Sequence, residues 1–164
     1  GNAASQGGPS GSGPASAAAT ASAVGAGGSS PSGEDQCRYL TTGQIEAATG
    51  LKVVGSGPDP FGISRCVWTL SGEGRNQIGL SVDLDSSRAT KDQEFACTVG
   101  FGLKPIEGVG DTACGGTVTG GEYELDALQG NDRLRLLISP DLNYHPINKS
   151  AWATLAQAVL AKLG

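Results

Sequence analysis

Apolar and polar positions alternate with a period of two along several stretches, which predicts half-buried strands of an antiparallel sheet. The clearest stretches are 64–70, 76–84, 123–127 and a return strand carrying Leu134, Leu136 and Ile138. Gly130 and Asn131 predict a tight hairpin turn before that return strand. Shorter strands are expected at 51–54, 103–107 and 112–118. The Gly- and Pro-rich stretch 55–60 is expected to be a loop, because these residues disfavour regular pairing.

The first helix has the clearest start signal in the chain. Thr41 and Gln44 have the spacing of a capping box, in which each side chain accepts a hydrogen bond from the other's backbone N–H. Gly50 suits the left-handed residue that ends a helix. The sequence therefore predicts a helix over 42–49.

Two further helices are predicted with weaker start signals. Ser86 or Ser87 can cap a helix that runs to about residue 97, and Asn148 or Ser150 can cap a last helix that runs to about residue 163. The stretch 140–146 before the last helix is expected to be a loop. Because hairpins dominate the connections, the predicted fold class is α+β, an antiparallel sheet with helices packed on it.

Composition divides the chain into two parts. The first 33 residues contain no charged side chain, and 29 of them are Gly, Ala, Ser or Pro. Such a segment has too little apolar surface to offset the entropy lost when its backbone is ordered. We therefore expect residues 1–35 to form a disordered tether and residues 36–164 to form a single α+β domain.

The charge of the chain restricts its partners. Its 16 acidic and 11 basic residues give a net charge of −5, and all of them follow residue 33. An acidic surface argues against nucleic acid as a partner and against direct docking on anionic lipid head groups. No apolar run reaches the length of about 18 residues that a membrane-spanning helix needs.

The four cysteines, Cys37, Cys66, Cys97 and Cys114, form no Cys-x-x-Cys pair. This pattern argues against zinc-ribbon and thioredoxin-like sites and favours two disulfides formed in an oxidising, extracytoplasmic compartment. All three connectivities are open. Pairing Cys37 with Cys66 and Cys97 with Cys114 is preferred, because each bond then closes a local loop. Four buried free thiols are the alternative.

Candidate catalytic and metal-binding groups are few. His145, the one histidine, lies in a Pro-flanked loop, and the chain has no Gly-x-Ser-x-Gly elbow. The stretch 83–94 is similar to a calcium loop but lacks the glycine of its sharp turn. Glu122, Glu124 and Asp126 share one strand face, which we expect to be solvated rather than an acid–base pair. No catalytic residue, metal site or cofactor is therefore predicted.

The two tryptophans are the large apolar anchors of the domain. Trp68 lies on the apolar stripe of a predicted strand and Trp152 on that of the last helix, which favours a place in the core. The alternative is that they line a groove between the sheet and the last helix, where an apolar ligand can bind.

Three motifs carry a resemblance to a known family, namely 37–41 (CRYLT), 64–68 (SRCVW) and 108–113 (GVGDTA). With the closing helix, they resemble small actinobacterial lipoproteins grouped as a domain of unknown function, over about 36–163. LpqN-type lipoproteins and receptor-kinase sensor domains are related to this family in shape. The resemblance implies an extracytoplasmic binding or accessory domain, and a lipidated cysteine just before Gly1 that anchors it to the outer face of the cell membrane.

Together these observations predict a membrane-tethered, non-enzymatic module that binds an envelope protein or ligand and is a monomer. A carrier of an apolar small molecule is the second hypothesis, and an extracellular hydrolase is the third.

Overall fold

A seven-stranded antiparallel sheet organises the part of the chain that the structure, a computed structural model, describes. The described residues are 1, 32–74, 76–84, 97, 102–144 and 150–163, without the side chains of Glu34, Asn143 and Tyr144. The strands are β1 (Val53–Pro58), β2 (Cys66–Leu70), β3 (Gln77–Asp83), β4 (Lys104–Pro105), β5 (Thr112–Thr117), β6 (Tyr123–Gln129) and β7 (Asp132–Ile138). The helices are α1 (Gly33–Gln36), a 3₁₀ helix (Cys37–Tyr39), α2 (Thr42–Thr49), α3 (Pro140–Tyr144) and α4 (Ser150–Leu160).

The strand order across the sheet is β1-β2-β3-β7-β6-β5-β4, so two hairpin-built halves meet where β3 pairs with β7. The predicted hairpins β2–β3 and β6–β7 are both present. The predicted α+β class, with an antiparallel sheet and helices packed on it, is confirmed.

The core lies between the sheet and helix α4. Leu80, Leu136 and Leu125 stand side by side on β3, β7 and β6, and all three are fully buried. Trp152 and Leu155 of α4 belong to the same apolar cluster. Full burial of each such side chain stabilises the fold by about 1.5–3 kcal/mol. This gain determines which face of the sheet packs against α4.

The predicted capping box at the start of α2 is confirmed. The Gln44 N–H donates to Thr41 Oγ1 at 3.2 Å, and the Thr41 N–H donates to Gln44 Oε1 at 2.8 Å. Gly50 ends the helix with φ +70°. Such a cap contributes about 1 kcal/mol to helix stability.

Gln36 links α1 to the sheet beyond the end of the β2–β3 pairing, where β3 has no partner strand on that side among the described residues. Its side-chain amide donates to the Ser64 carbonyl at 3.0 Å, and its oxygen accepts from the Val82 N–H at 3.0 Å. Val82 lies beyond the end of the β2–β3 pairing, so this buried side chain satisfies a donor that a neighbouring strand would otherwise bond.

Two local predictions were wrong. The stretch 55–58, expected to be a loop, continues β1, and Pro58 still pairs with Cys66. Glycine and proline are tolerated there because β1 is the terminal strand of the described sheet and has one neighbour to satisfy. Residues 140–144, also expected to be a loop, form α3, with Pro140 at the first helical position, where its missing N–H costs nothing.

Both disulfides have the preferred connectivity. Cys37 is bonded to Cys66 and Cys97 to Cys114, with Cα–Cα distances of 5.0 and 5.7 Å. Most of the predicted tether, the predicted helix from Ser86 or Ser87, and His145 lie outside the described residues.

Candidate functional site

The sheet has a second face, opposite the core, which we call the outer face. One row of neighbouring residues crosses it from β2 to β6, in the order Val67, Gly79, Leu137 and Glu124. Val67 and Leu137 are only partly buried, in contrast to the fully buried leucines of the core face. Part of this face is therefore open to a partner.

The β1–β2 loop, residues 59–65, stands beside this face and displays apolar side chains. Phe61 is 81% exposed and Ile63 is 52% exposed, and Val54 of the adjoining strand is 65% exposed. These three are the exposed large hydrophobics of the described residues, and they fall within ten positions of the sequence. A scattered exposed apolar residue is ordinary, but Phe61 and Ile63 are displayed from one short loop.

Hydrogen bonds within the loop hold it in this conformation. The Asp59 N–H donates to the Arg65 carbonyl at 3.0 Å, and the Gly62 N–H donates to the Asp59 carbonyl at 3.1 Å. Asp59 Oδ1 accepts from the Phe61 N–H at 2.8 Å, and Asp59 Oδ2 accepts from Arg65 Nε. Gly62 has φ +76°, a backbone conformation that favours glycine. The loop therefore presents Phe61 from a fixed base.

A groove lies between this loop and the sheet, with a cavity volume of about 230 Å³. We call it the outer-face groove. Its lining residues are Asp59, Pro60, Phe61, Arg65, Val67, Gln77, Gly79, Glu122, Leu137 and Ser139. A Cβ on Gly79 would lie 3.4 Å from Arg65 Cδ and 3.7 Å from Leu137 Cβ. The Arg65 side chain therefore packs over Gly79.

The charges of the groove are arranged around Asp59. Burial opposes the ionisation of Asp59, but the Phe61 N–H and the Arg65 guanidinium outweigh it, so the pKa of this carboxyl lies below its ordinary value. Asp59 is only 6% exposed and is thus an ionised, buried partner that orients Arg65. Glu122, on another part of the lining, has no ion-pair partner among the described residues.

A second charged cluster occupies the β6–β7 part of the outer face. Arg133 binds Asp126 through two hydrogen bonds, of 2.9 and 2.5 Å, and Arg135 Nε donates to Glu124 Oε1 at 2.6 Å. Asp126 and Glu124 are buried, so the expectation that this strand face is solvated was wrong for both.

The reason lies in their neighbours. The arginines of β7 lie over these carboxylates, and the Cys97–Cys114 disulfide covers the same face beside Asp126, the cross-strand partner of Cys114. Each carboxylate is thus matched by a guanidinium, an arrangement suited to structure rather than to proton transfer.

The tryptophans lie in the core and not in the outer-face groove. Trp68 is 2% exposed and Trp152 is 1% exposed. A shallow apolar depression of about 260 Å³ does lie on the helical side, between α2 and α4, but its lining is formed by small residues such as Ala48 and Ala158 together with Leu155. The hypothesis of a ligand groove at the tryptophans stays a prediction, and the described cavities are lined by other residues.

The groove was not predicted from the sequence. Its signal was Asp59-Pro60-Phe61-Gly62-Ile63, a turn-forming stretch that carries two large apolar residues. Turn residues predict a surface position, so apolar residues among them point to a displayed surface. Within the described residues, no group of three or more potential ligands is placed to hold a metal ion, and no helix has the length and apolarity to cross a membrane.

Comparison of the sequence with protein-family models and with curated proteins found no match. The resemblance to actinobacterial lipoproteins therefore stays a prediction. The two disulfides are compatible with an extracytoplasmic domain.

Proposed function

We propose that this chain is an extracytoplasmic, non-enzymatic binding module that recognises an envelope partner through the outer-face groove and its Phe61 rim. The observation that carries the proposal is the exposed Phe61 in the lining of an open groove, with the exposed Ile63 on the same loop. Aromatic residues displayed from a rigid base serve as anchors in protein interfaces, because they bury much area at little entropic cost.

The size of the groove favours binding over carriage. Pockets that enclose a drug-sized ligand have volumes of about 300–1,000 Å³ and bury most of its surface. The outer-face groove, at about 230 Å³, is smaller than this range, which supports a site for one end of a larger partner. Among the described residues, its lining contains no Ser–His or Cys–His pair.

We further propose that the module is held at the outer face of the membrane by a lipidated cysteine before Gly1. The support is the sequence resemblance and the Gly-, Ala- and Ser-rich segment that follows Gly1. Mass spectrometry of the protein isolated from its own cells tests this proposal. A diacylglycerol-modified cysteine ahead of Gly1 is expected, and an unmodified residue there contradicts it.

Photo-crosslinking tests the binding surface. A benzophenone amino acid replaces Phe61 in the full chain, and in a matched control it replaces Ala161, which is exposed just beyond the C-terminal end of α4. In envelope preparations of the source organism, we expect a discrete crosslinked product from position 61 and none from position 161. No product at 61, or the same products at both positions, contradicts the proposal.

A further inference from the structure

Arg65 has donors that the fold does not use. Its Nε donates to the buried Asp59, which fixes the plane of the guanidinium. Its two terminal nitrogens have no hydrogen-bond partner among the described residues. Two parallel N–H groups at the end of a fixed guanidinium match the two oxygens of a carboxylate.

Gln77 supplies a second unused group in the same groove. Its backbone is engaged, because its N–H donates to Ser139 Oγ at 3.0 Å and its carbonyl accepts from the Ser139 N–H at 3.0 Å. Its side-chain amide has no partner among the described residues. An amide carries both a donor and an acceptor, which are the groups that a peptide bond requires.

The spacing of these two groups suits one end of a peptide. The Arg65 side chain lies over Gly79, and Gln77 is two residues away on the same face of β3, a distance of about 7 Å at the rise of a strand. Extended peptide also advances about 3.3–3.6 Å per residue. A carboxylate at Arg65 and a peptide bond near Gln77 are therefore compatible with one ligand.

Beside the polar Asp59, Glu122 and Ser139, the lining also has an apolar part. Val67 and Leu137 form the floor and Phe61 the rim, which suits an apolar side chain next to the carboxylate. A fatty acid fits less well, because its alkyl chain leaves the Gln77 amide without a partner, at a cost in binding.

We propose that the outer-face groove binds the C-terminal carboxylate of a peptide or protein whose last side chain is apolar. Arg65 binds the carboxylate, Gln77 binds the last peptide bond, and Val67, Leu137 and Phe61 contact the side chain. This assignment rests on the proposed binding function and names its ligand class.

The direct test is an NMR titration of the full chain with N-acetyl-glycyl-leucine, its C-terminal amide and hexanoate. We expect the free carboxylate to shift the Arg65 Nε–H, the Gln77 amide and the Gly79 N–H. Loss of a charge-assisted fork weakens binding about tenfold or more, so the amide should bind that much less tightly. Equal affinity for the acid and its amide, no shift in the groove, or equal affinity for hexanoate overturns the assignment.

Variants locate the ligand within the groove. Arg65→Gln should abolish the preference for the acid over the amide, and Gln77→Ala should weaken both. Gln77 is on the sheet surface rather than in the core, so its variant tests the site even where Arg65→Gln disturbs the loop. Glu122→Gln removes a like charge and should tighten the acid about twofold. Weaker binding of the acid by Glu122→Gln contradicts the carboxylate assignment.

Arg135→Gln is the matched control, because Arg135 is also on the outer face and paired with a carboxylate but does not line the groove. It should leave the titration unchanged.

The crosslinking experiment separates the two proposals. If position 61 crosslinks equally with and without Arg65→Gln, the carboxylate assignment is wrong but the proposed binding function is still supported. If position 61 does not crosslink at all, the proposed binding function itself is contradicted.

Discussion

The ion pair between Arg133 and Asp126 is expected to stabilise the domain mainly by neutralising a buried carboxylate. Asp126 is fully buried, and both of its oxygens accept from Arg133, which is itself only 9% exposed. Replacing Arg133 by methionine keeps most of the side-chain volume but leaves the carboxylate without this cation. Breaking a buried pair in this way costs about 3–5 kcal/mol.

The double variant is expected to recover part of that loss. Asp126→Asn alone should cost about 1.5–3 kcal/mol, because it removes a charged hydrogen-bond acceptor but keeps a neutral one. Asp126→Asn combined with Arg133→Met should cost less than the sum of the two singles. Contacting residues have coupling energies of about 0.5–3 kcal/mol, and we expect a value in the upper half of that range.

Urea unfolding of the four proteins, with the disulfides intact, measures this coupling. Trp68 and Trp152 are the only tryptophans and both are buried, so their fluorescence reports the loss of the core. Lys52→Gln is the control, since the Lys52 side chain is 81% exposed and the loss of its solvent-screened pair with Glu46 should change the free energy of unfolding little. Single-variant costs that add to within 0.5 kcal/mol, or a cost below 1 kcal/mol for Arg133→Met, refute the reasoning.

Three further predictions concern the segments that carry the groove. Replacing Cys37 and Cys66 by serine opens a 29-residue loop and should cost about 3–4 kcal/mol in urea unfolding, and an unchanged midpoint argues against this. Because the pKa of Asp59 is lowered in the fold, its contribution is present above the unfolded value of about 3.9 and is lost as the pH falls through the folded value. In an NMR pH titration the Phe61 N–H signal should therefore move at acidic pH, and Asp59→Asn should abolish that movement. Gln36→Leu leaves the Val82 N–H unpaired and should cost about 1–3 kcal/mol in urea unfolding, and an unchanged midpoint argues against this.

The elements that the sequence predicted are those specified by local rules. The capping box at Thr41 and the alternation along β6 and β7 each determine a conformation within a few residues. The disulfide pairing followed from the same preference for short-range closure, since both bonds span fewer than 30 residues. Such features can be predicted from the sequence because few alternative local structures compete with them.

The features that were missed depend on long-range neighbours. Glycine and proline in β1 predict a loop unless the strand is known to be terminal in its sheet. Whether a strand is terminal depends on the order of all the strands, which the local sequence does not specify. Alternation along β6 correctly placed Glu124 and Asp126 on the face opposite the core, but could not show what covers them. Their burial depends on arginines of another strand and on a disulfide.

The position of the groove follows from how the two faces of the sheet are divided. The core face is filled by α4 and its tryptophan, so it has no surface left for a partner. On the outer face, the Cys97–Cys114 disulfide and the paired arginines occupy the β5–β7 part. The part beside β2 and β3 is bordered by the 59–65 loop, and there the small Gly79 leaves depth while Phe61 supplies an exposed rim. A binding surface on this sheet is therefore expected at the β1–β2 end, because there an open apolar floor, a displayed aromatic ring and unused donors of Arg65 coincide.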